Sequence, residues 1–498
     1  MTDYEVIGID ESDDPVTYFA LFPNCDPTVF EEAIKDPKWQ RAMDEEIEAI
    51  EQNNTWELTD LPKGHKTIGV KWVYKTKLKE NGEVDKYKAR LVAKGYKQEF
   101  GVDYKEVFAP VARHDTIRLV VSLAAHNSWP IFQLDVKSAF LHGELQEKVF
   151  VDQPPDYVKV KDEHKVYRIK KALYGLKQAP RAWYSRIDAY FTKEGFKKCP
   201  YEHTLFTKIG DGRKLLIVCL YVDDLIFTGN DSAMIEKFKR SMMVEFEMSD
   251  LEKMHYFLGI EVVQSASGIF ISQKIYAQKM LDRFRMANCN PVSTPMEVGL
   301  KLVRDPEGRN IDNTLYKQIV RSLMYLTATR HDIMHVVSII SRYMEFPTEM
   351  HLLAAKRIFR YLQGTSEYGL FYKKGEKSSL VGFTNSDYAG DLGDRKSTSE
   401  YVFMMSSAAI SWCSKKQPIV TLSTTEVEFV AATVCTCQAI WLRKILEELY
   451  FKQEVATKVY CDNSSAIKLS KNHVLHGRSK HIDVKFHFLR DLTRDGVI

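Results

Sequence analysis

Hydrophobic and polar residues follow two different periods along this chain, and these periods predict its secondary structure. Apolar residues recur at helical spacing over residues 27–53, which predicts a helix. The spacing then changes to every second residue over 70–78 and 84–93, with Asn81-Gly82 between the two runs. An Asn-Gly pair between two such runs predicts a β-hairpin.

Further apolar runs predict strands, and longer stretches of helical spacing predict helices between them. The expected strands lie at residues 131–135, 214–221, 225–228, 380–384, 400–405, 409–414 and 457–461. The expected helices lie at residues 116–125, 180–194, 233–246, 273–284, 316–329, 351–363 and 424–450. Residues 364–377 contain three glycines and are the best candidate for a domain boundary. The whole pattern predicts an α+β protein.

Composition and charge narrow the class of protein. The chain has 498 residues, 45% hydrophobic and 28% charged, which indicates a globular protein of about three domains. Residues 1–52 carry fifteen acidic and three basic side chains, whereas 61–100 and 161–198 each carry eleven basic and four acidic ones. The two basic segments suggest a polyanionic partner, although solvated surface faces would give the same pattern.

Cysteine usage and apolar run lengths point to an intracellular protein that does not interact with membranes. The eight cysteines are scattered without zinc-binding spacing, so we expect reduced thiols. The acidic N-terminus lacks the apolar segment of a signal peptide. The longest apolar run covers residues 215–222, far short of the roughly 20 residues that cross a bilayer.

Three aspartates are candidate metal ligands. Asp223 and Asp224 follow directly on the apolar run, and Asp135 ends another short apolar strand. Adjacent acids among apolar residues are costly unless water or a cation neutralises them, and an exposed tight turn is the simpler alternative. Three carboxylates at strand ends can hold two divalent ions roughly 3.5–4 Å apart, which would activate a hydroxyl and stabilise a leaving phosphate oxygen. Magnesium suits such oxygen ligands.

At this point the sequence resembles the Pol polyprotein of copia-type retrotransposons, from about residue 30 to its end. Tyr221-Val222-Asp223-Asp224 resembles the signature of reverse transcriptases. Further matching stretches are Trp72-Val73-Tyr74-Lys75, Lys88-Ala89-Arg90-Leu91-Val92-Ala93-Lys94-Gly95, Phe108-Ala109-Pro110-Val111, Gln133-Leu134-Asp135-Val136-Lys137-Ser138-Ala139-Phe140-Leu141 and Ala172-Leu173-Tyr174-Gly175-Leu176-Lys177-Gln178-Ala179-Pro180-Arg181-Ala182-Trp183.

The resemblance implies a right-hand polymerase of fingers, palm and thumb, followed by an RNase H-like αβ domain. It implies that two Mg²⁺ ions bind to Asp135, Asp223 and Asp224 as the catalytic residues. It further implies nucleotide contacts by four residues: Lys88 and Arg90 at the triphosphate, Phe140 against the sugar 2′ position, and Gln178. Residues 256–261 resemble the segment that grips the primer end. Ordinary packing or solvated charge is the alternative for each of these side chains.

The C-terminal unit resembles the RNase H domain of the same elements, in which four carboxylates surround two metal ions. The resemblance assigns Glu428, Asp462 and Asp483 as ligands, with Glu426 less suitable because it faces elsewhere on its helix. Asn385 stands where the family usually has the first aspartate. An amide is a weaker metal ligand, so we expect impaired or absent RNA cleavage, with Asp387 on the same strand face as a conceivable substitute.

Two other residues depart from the family pattern, since Arg321 and Glu400 stand where glycine is expected. Either change would be harmful if the backbone there needed a positive φ or close packing. No zinc knuckle, aspartic protease triplet, integrase His/Cys cluster or capsid-like region is recognisable. We therefore expect the downstream part of a polyprotein, either a processed product or a genomic fragment, with an end that looks clipped.

These patterns predict four regions and one principal activity. The regions are an acidic lead and helix (1–53), the reverse transcriptase (54–297), thumb or connection helices (298–375) and the RNase H-like domain (376–498). The expected activity is RNA-directed DNA polymerisation with a primer, an RNA or DNA template and deoxynucleoside triphosphates. The alternative is a catalytically silent relic that at most binds nucleic acid. The sequence leaves the oligomeric state open. It also does not decide between the cytoplasm and the nucleus.

Overall fold

The computed structural model describes residues 26–78, 83–375, 379–471 and 483–498. The acidic lead over residues 1–25 and the expected Asn81-Gly82 turn lie outside the described residues. The first elements are α1 (Phe30–Ala33), α2 (Pro37–Gln52), β1 (Trp56–Thr59), β2 (Val70–Leu78) and β3 (Val84–Ala93). The single helix expected over 27–53 is therefore two helices. The second begins where the Asp36 side chain accepts a hydrogen bond from the Lys38 N–H, with Pro37 at its first position.

The hairpin β2–β3 has one apolar face and one basic face. Its strands are antiparallel over their full length, which confirms the predicted strand bounds. Because side chains alternate along a strand, Trp72 and Tyr74 face α2, where the Tyr74 and Trp39 rings lie 5.4 Å apart. The basic side chains occupy the other face.

A six-stranded antiparallel sheet forms the centre of the molecule, in the order β11-β4-β10-β9-β8-β7. Beside it, β1 joins β5 and β6 in a three-stranded sheet. The elements of this region are α3 (His114–Asn127), β4 (Ile131–Val136), β5 (Glu144–Val151), β6 (Val166–Lys171), α4 (Ala179–Lys193), β7 (Lys197–Cys199), β8 (Glu202–Gly210), β9 (Lys214–Tyr221), β10 (Asp224–Gly229), α5 (Ser232–Glu245) and β11 (Met248–Lys253).

Strand β9 is buried on both faces, which explains its uninterrupted apolar sequence. Ile217 and Cys219 lie in the core that contains α3. Leu216, Val218 and Leu220 lie in the core formed with α4 and α5 on the opposite face. The sheet is thus a middle layer between helices, and the turn after β9 comes to the surface at its edge.

A second sheet and four helices follow. The elements are β12 (Tyr256–Phe257), β13 (Ile260–Ser265), β14 (Gly268–Ser272), α6 (Lys274–Arg283), α7 (Asn313–Leu326), α8 (Met334–Ser341), α9 (Glu349–Gln363) and β15 (Gly369–Lys373). Helices α6 to α9 share one apolar core. Strand β15 lies inside the glycine-containing stretch that was expected to be a boundary, and it pairs with β14 in a sheet of order β12-β13-β14-β15.

The last region contains a mixed four-stranded sheet in the order β18-β17-β16-β19, in which β19 runs parallel to β16. Its elements are β16 (Leu380–Ser386), β17 (Thr398–Met405), β18 (Ala408–Lys416), α10 (Thr424–Glu448), β19 (Lys458–Tyr460), α11 (Ser464–Lys471) and α12 (Asp483–Arg494). Among the described helices, α10 alone has the length and apolar composition of a membrane span, and 56% of that apolar stretch is buried inside the protein. A core helix passes the same test, and α10 packs on β16 and β17.

Arg118 joins the central sheet to the last region. Its side chain is 4% exposed and donates from Nε to the Ile410 carbonyl at 2.7 Å and from Nη1 to the Ala328 carbonyl at 2.8 Å. It also pairs with Asp115 at 2.8 Å and lies over the Trp412 ring at 3.8 Å. One buried cation therefore connects α3, the turn after α7 and β18.

We expect Arg118→Met to lower the free energy of unfolding by about 2–4 kcal/mol, because two buried carbonyls and Asp115 lose their donors. Chemical denaturation of the full chain measures this change. Arg240→Met, on the exposed face of α5, is the matched control and should stay within about 0.5 kcal/mol of the parent. Equal losses in both variants would contradict the role given to Arg118.

An ion pair between His335 and Glu400 joins α8 to β17, with Nδ1 and Oε1 2.6 Å apart. The hydrogen bond to Glu400 raises the pKa of His335. Burial raises the pKa of Glu400, but the hydrogen bond from His335 holds it below its usual value. Glu400 lies in β17 and Arg321 in α7, so neither position requires the left-handed backbone that favours glycine. The concern that these residues replace a needed glycine conformation is therefore not supported.

Glu400→Gln should lower the melting temperature near pH 6 and have a smaller effect near pH 9. A raised folded-state pKa means that the His335 contribution is complete below about pH 6.5 and is lost as pH rises through the folded-state value. The His335 side chain is 44% exposed, so solvent screening limits the contribution to less than about 1 kcal/mol. Thermal melting across this pH range measures it, with exposed Glu454→Gln as control. A difference from the parent that does not change with pH would be the contrary outcome.

Candidate active site

Strand pairing brings the three aspartates of the central sheet together. Asp224 begins β10 and is the direct antiparallel partner of Asp135 near the end of β4. Directly opposed residues point to the same face of a sheet, with Cβ atoms about 4.5–5.5 Å apart. Asp223 lies in the turn before β10, and its carbonyl accepts a hydrogen bond from the Val136 N–H at 2.9 Å. The carboxylates thus come from two adjacent strands and one turn.

The turn itself is held in an unusual conformation. Val222 has a φ of +54°, in the left-handed region that a β-branched residue rarely adopts. Its carbonyl accepts a hydrogen bond from the Trp183 indole N–H at 2.6 Å, and Trp183 is buried on α4. The strain is thus held in place by a fixed contact, which sets the direction of the two aspartates that follow.

Burial raises the pKa of all three carboxyl groups, and repulsion by a neighbouring carboxylate adds to the rise for Asp135 and Asp224. Desolvation is the largest cause in each case, followed by the charge of Asp223 for Asp135 and for Asp224. The pKa of Asp224 is raised to about 6, even though the Gln133 amide donates to it at 3.1 Å. Carboxylate oxygens that repel one another in a partly buried site fit a divalent cation, which would relieve the repulsion.

The basic face of the β2–β3 hairpin lies within electrostatic range of these carboxylates. Lys77, Lys88 and Arg90 each lower the pKa of both Asp135 and Asp223. The pKa of Lys88 is lowered to about 8, first by burial and then by the charges of Arg90 and Lys77. Lys77 was not among the predicted site residues. The sequence could have indicated it, because Lys77 is an even number of residues from Lys71 and Lys75 and therefore lies on the same face of the strand.

The buried carboxylate of Glu46 holds the Arg90 side chain in position. Its guanidinium forms an ion pair with Glu46 on α2, and Glu46 also accepts a hydrogen bond from the Leu91 N–H at 3.3 Å. The guanidinium lies 5.0 Å from the centre of the Tyr174 ring. Arg90 is therefore fixed in position by the protein, whereas Lys88 and Lys77 supply the remaining positive charge towards the aspartates.

Phe140 comes shortly after Asp135 in the sequence, and its side chain is partly buried. Ser138, with a φ of +52°, turns the chain into a short 3₁₀ helix at Ala139–His142. The Phe140 ring then packs against Tyr174, with centroids 4.9 Å apart. The pKa of Tyr174 is raised, first by burial and then also by the charges of Asp223 and Asp135. The two rings thus form an aromatic wall beside the carboxylates.

The Gln178 amide, predicted to contact the nucleotide, is hydrogen-bonded inside the protein. Its side chain is 3% exposed; its Oε1 accepts from the Gln98 amide and its Nε2 donates to the Asp103 carbonyl, both at 2.9 Å. Both ends of the amide are therefore used inside the protein. We leave Gln178 out of the nucleotide contacts proposed below, and assign it to holding the start of α4.

The segment at residues 256–261 forms the hairpin β12–β13, whose turn contains Leu258 and Gly259 with positive φ. The Tyr325 hydroxyl donates to the Leu258 carbonyl. A side chain at Gly259 would meet Tyr325, so glycine is required there for space as well as for φ. The ring of Phe257 lies 6.3 Å from that of Tyr221, which directly precedes the aspartate turn.

A second acidic group lies in the last region, between α10 and the end of β19. Glu428, Cys461 and Asp462 each offer a ligand atom, and these atoms all lie within 4.8 Å of one another. Among the described residues, no other group of three His, Cys, Asp or Glu side chains has its ligand atoms this close together. The three aspartates of the central sheet do not meet this distance either. The Glu426 carboxylate turns back to accept from the Leu422 N–H at 2.9 Å, in keeping with its expected exclusion. The side chain of Asp483 lies outside the described residues.

Asn385 directly precedes Ser386, whose N–H donates to Glu428, and its side chain is an exposed amide. Phe383 and Tyr460 are paired in the parallel strands, and Asn385 and Asp462 each follow two residues later. The Asp387 carboxylate accepts a hydrogen bond from the Thr398 N–H at 2.7 Å and is not part of the Glu428 group. Cys461 was not predicted as a site residue, since neither its spacing nor its neighbours in sequence indicate a ligand.

Comparison with known proteins defines the class first. Residues 53–298 match the family model described as reverse transcriptase, an RNA-dependent DNA polymerase. The Pol polyproteins of transposon RE1 from Arabidopsis thaliana and transposon TNT 1-94 from Nicotiana tabacum are each 40% identical to this chain over 96% of its length. A putative transposon Ty5-1 protein of Saccharomyces cerevisiae is 31% identical over 60% of this chain and 98% of its own length.

The chain therefore belongs to the reverse transcriptase family, among the Pol polyproteins of copia-type retrotransposons. It spans 33% of the RE1 polyprotein and 37% of the TNT 1-94 polyprotein, about a third of their length. A solved structure of a foamy viral protease–reverse transcriptase in complex with double-stranded DNA covers 93% of this chain and 69% of its own, at 12% identity and a TM-score of 0.49.

Proposed function

We propose that this chain is an RNA-directed DNA polymerase that uses two Mg²⁺ ions. The observation that carries the proposal is the direct pairing of Asp224 with Asp135, with Asp223 in the adjoining turn and the pKa of all three raised. In this assignment the hairpin β2–β3 belongs to the fingers, the six-stranded sheet is the palm, and helices α6–α9 form the thumb and connection. The β16–β19 sheet with α10 is an RNase H-like domain.

The reaction is attack of a primer 3′-hydroxyl on the α-phosphorus of a deoxynucleoside triphosphate, with pyrophosphate as the leaving group. The three aspartates would hold the two ions, which when bound activate the hydroxyl and stabilise the leaving oxygen. Lys77 and Lys88 neutralise the triphosphate from the opposite side, with Arg90 fixed beside them. Phe140, backed by Tyr174, occupies the place where a ribose 2′-hydroxyl would clash. These residues position the reactants in line.

The partner is a primer–template duplex held mainly through its phosphate backbone. Such binding releases counterions, so the affinity should fall steeply as salt rises. The hairpin at residues 256–261 is suited to the primer end, because it adjoins Tyr221 and so lies beside the aspartate turn. For the RNase H-like domain we propose weak or absent RNA cleavage, because Asn385 replaces a carboxylate beside Glu428 and Asp462.

Deoxynucleotide incorporation on a poly(A)–oligo(dT) template tests the proposal. We expect incorporation that requires Mg²⁺, stops on chelation and prefers the RNA template over a matching DNA template. Incorporation on the DNA template but not on the RNA template would indicate a dedicated DNA-templated polymerase. No incorporation by a folded protein would favour the catalytically silent relic, for which the amide at Asn385 is the supporting observation.

A further inference from the structure

The donor atoms beside α10 differ from those that a pair of magnesium ions needs. Magnesium requires near-octahedral oxygen coordination and keeps several waters. Here one expected carboxylate is the Asn385 amide, and a thiol, Cys461, lies among the remaining acids. This set contains a soft ligand and has a neutral amide in place of one charged carboxylate. It therefore fits a magnesium pair poorly.

The same atoms fit one thiophilic divalent ion. Zinc binds thiolate sulfur at about 2.3 Å and carboxylate oxygen at about 2.0–2.2 Å, so two such ligands of one tetrahedral ion lie roughly 3.6 Å apart. The Cys461 Sγ lies 3.9 Å from Glu428 Oε2. With Asp462 in the same group, three protein ligands are available, and a fourth position would remain for water or a substrate oxygen.

The surrounding structure holds these ligands in place before any ion binds. The Ser386 N–H donates to Glu428 Oε1 at 3.0 Å, which leaves Oε2 facing Cys461. Parallel pairing of β19 with β16 fixes the chain up to Tyr460, and the Asn463 side chain accepts from the Ala466 N–H at 2.9 Å just after the site. Glu428 itself is 5% exposed on α10. Oriented ligands of this kind raise metal affinity.

We propose that Glu428, Cys461 and Asp462 form a binding site for a single thiophilic divalent cation such as Zn²⁺ or Co²⁺. On binding, the Cys461 thiol gives up its proton to solvent and a sulfur–metal bond forms. Soft thiolate ligands select such ions over Mg²⁺. The proposal refines the RNase H-like site described above, but it does not depend on RNA cleavage.

Cobalt binding to the chelator-treated full chain tests this site by a signal that only sulfur gives. We expect a sulfur-to-cobalt charge-transfer absorption band in the near ultraviolet. The band should disappear in Cys461→Ser and persist in Cys437→Ser, an exposed cysteine of α10. Asp462→Asn should keep the thiol but weaken cobalt binding roughly 10- to 100-fold. Cobalt at the three palm aspartates gives no sulfur band.

Competition supplies the selectivity. Stoichiometric Zn²⁺ should abolish the band, whereas Mg²⁺ in roughly 1,000-fold excess should leave it. A parent chain without the band, a band unchanged in Cys461→Ser, or displacement by equimolar Mg²⁺ would each overturn the proposal. Because the readout is metal binding, these results are independent of whether the chain incorporates nucleotides or cuts RNA.

Discussion

Asp223→Asn should reduce deoxynucleotide incorporation by at least roughly 10²–10³-fold, the size of effect that follows loss of one preorganised electrostatic group. Asp223 is the neighbour whose charge most raises the pKa of Asp224, and it is the second-largest cause of the raised pKa of Asp135. Its removal takes away a proposed cation ligand and a negative charge at the same site. Steady-state incorporation on poly(A)–oligo(dT) with Mg²⁺ measures the change.

The matched control is Asp211→Asn, an exposed aspartate in the turn between β8 and β9 at the other end of the same strand. It should leave incorporation within about twofold of the parent. Activity retained in Asp223→Asn, or lost equally in both variants, would refute the assignment of the palm aspartates.

We expect Asp224→Asn to raise stability although it removes a proposed metal ligand. The folded pKa of Asp224 is about 6 against an ordinary 3.8, so the folded chain binds more protons between these values. Stability therefore falls as pH rises from about 4 to 6, and the penalty persists above 6. In the presence of a chelator at neutral pH, the melting temperature of Asp224→Asn should exceed that of the parent by on the order of 2 °C.

Asn385→Asp should restore or strengthen RNA cleavage on an RNA–DNA hybrid, by on the order of 10²-fold in Mg²⁺. Asn385 and Asp462 follow paired residues of two parallel strands, so the new carboxylate would stand beside Asp462 and Glu428. Three acids with oxygen ligands would then surround a position that at present has an amide. Release of labelled RNA fragments by the purified chain measures the gain.

Two controls separate this gain from a general effect of added charge. Asn313→Asp adds the same charge at the start of α7 and should leave cleavage unchanged. Asp462→Asn in the Asn385→Asp background should remove the gain. Equal and robust cutting by the parent and by Asn385→Asp would show that the amide does not impair the site.

Local pattern was sufficient for the β2–β3 hairpin and for β9. The bounds of β2, β3 and β9 agree with the sequence prediction. The hairpin alternates apolar and basic positions, and β9 is apolar throughout because both of its faces are covered. The sequence prediction missed the short strands β7 and β12, since two or three residues carry no period, and β15, which lies among glycines expected to form a boundary. It also missed longer strands, namely β1, β5, β6, β8, β11, β13 and β14.

Contacts between distant segments decided the rest of the site. Gln178 matches a family motif, yet burial against Gln98 and Asp103 turns its amide inward. Lys77 and Lys88 act on the aspartates only because the hairpin folds over the sheet edge. Folding brings Cys461 next to Glu428 of α10, which is more than thirty residues away in sequence.

The sequence by itself determined the family, and it singled out the three aspartates of the proposed palm and Asn385 in place of an expected acid, since each depends on residue identity within a contiguous motif. Tertiary structure alone decided which groups surround those residues. Strand register sets Asp224 opposite Asp135, and packing of α10 on β16 brings Glu428 to Cys461. The physical reason is that side-chain chemistry is local to the chain, whereas burial, repulsion and ligand distance arise between segments that only folding brings together.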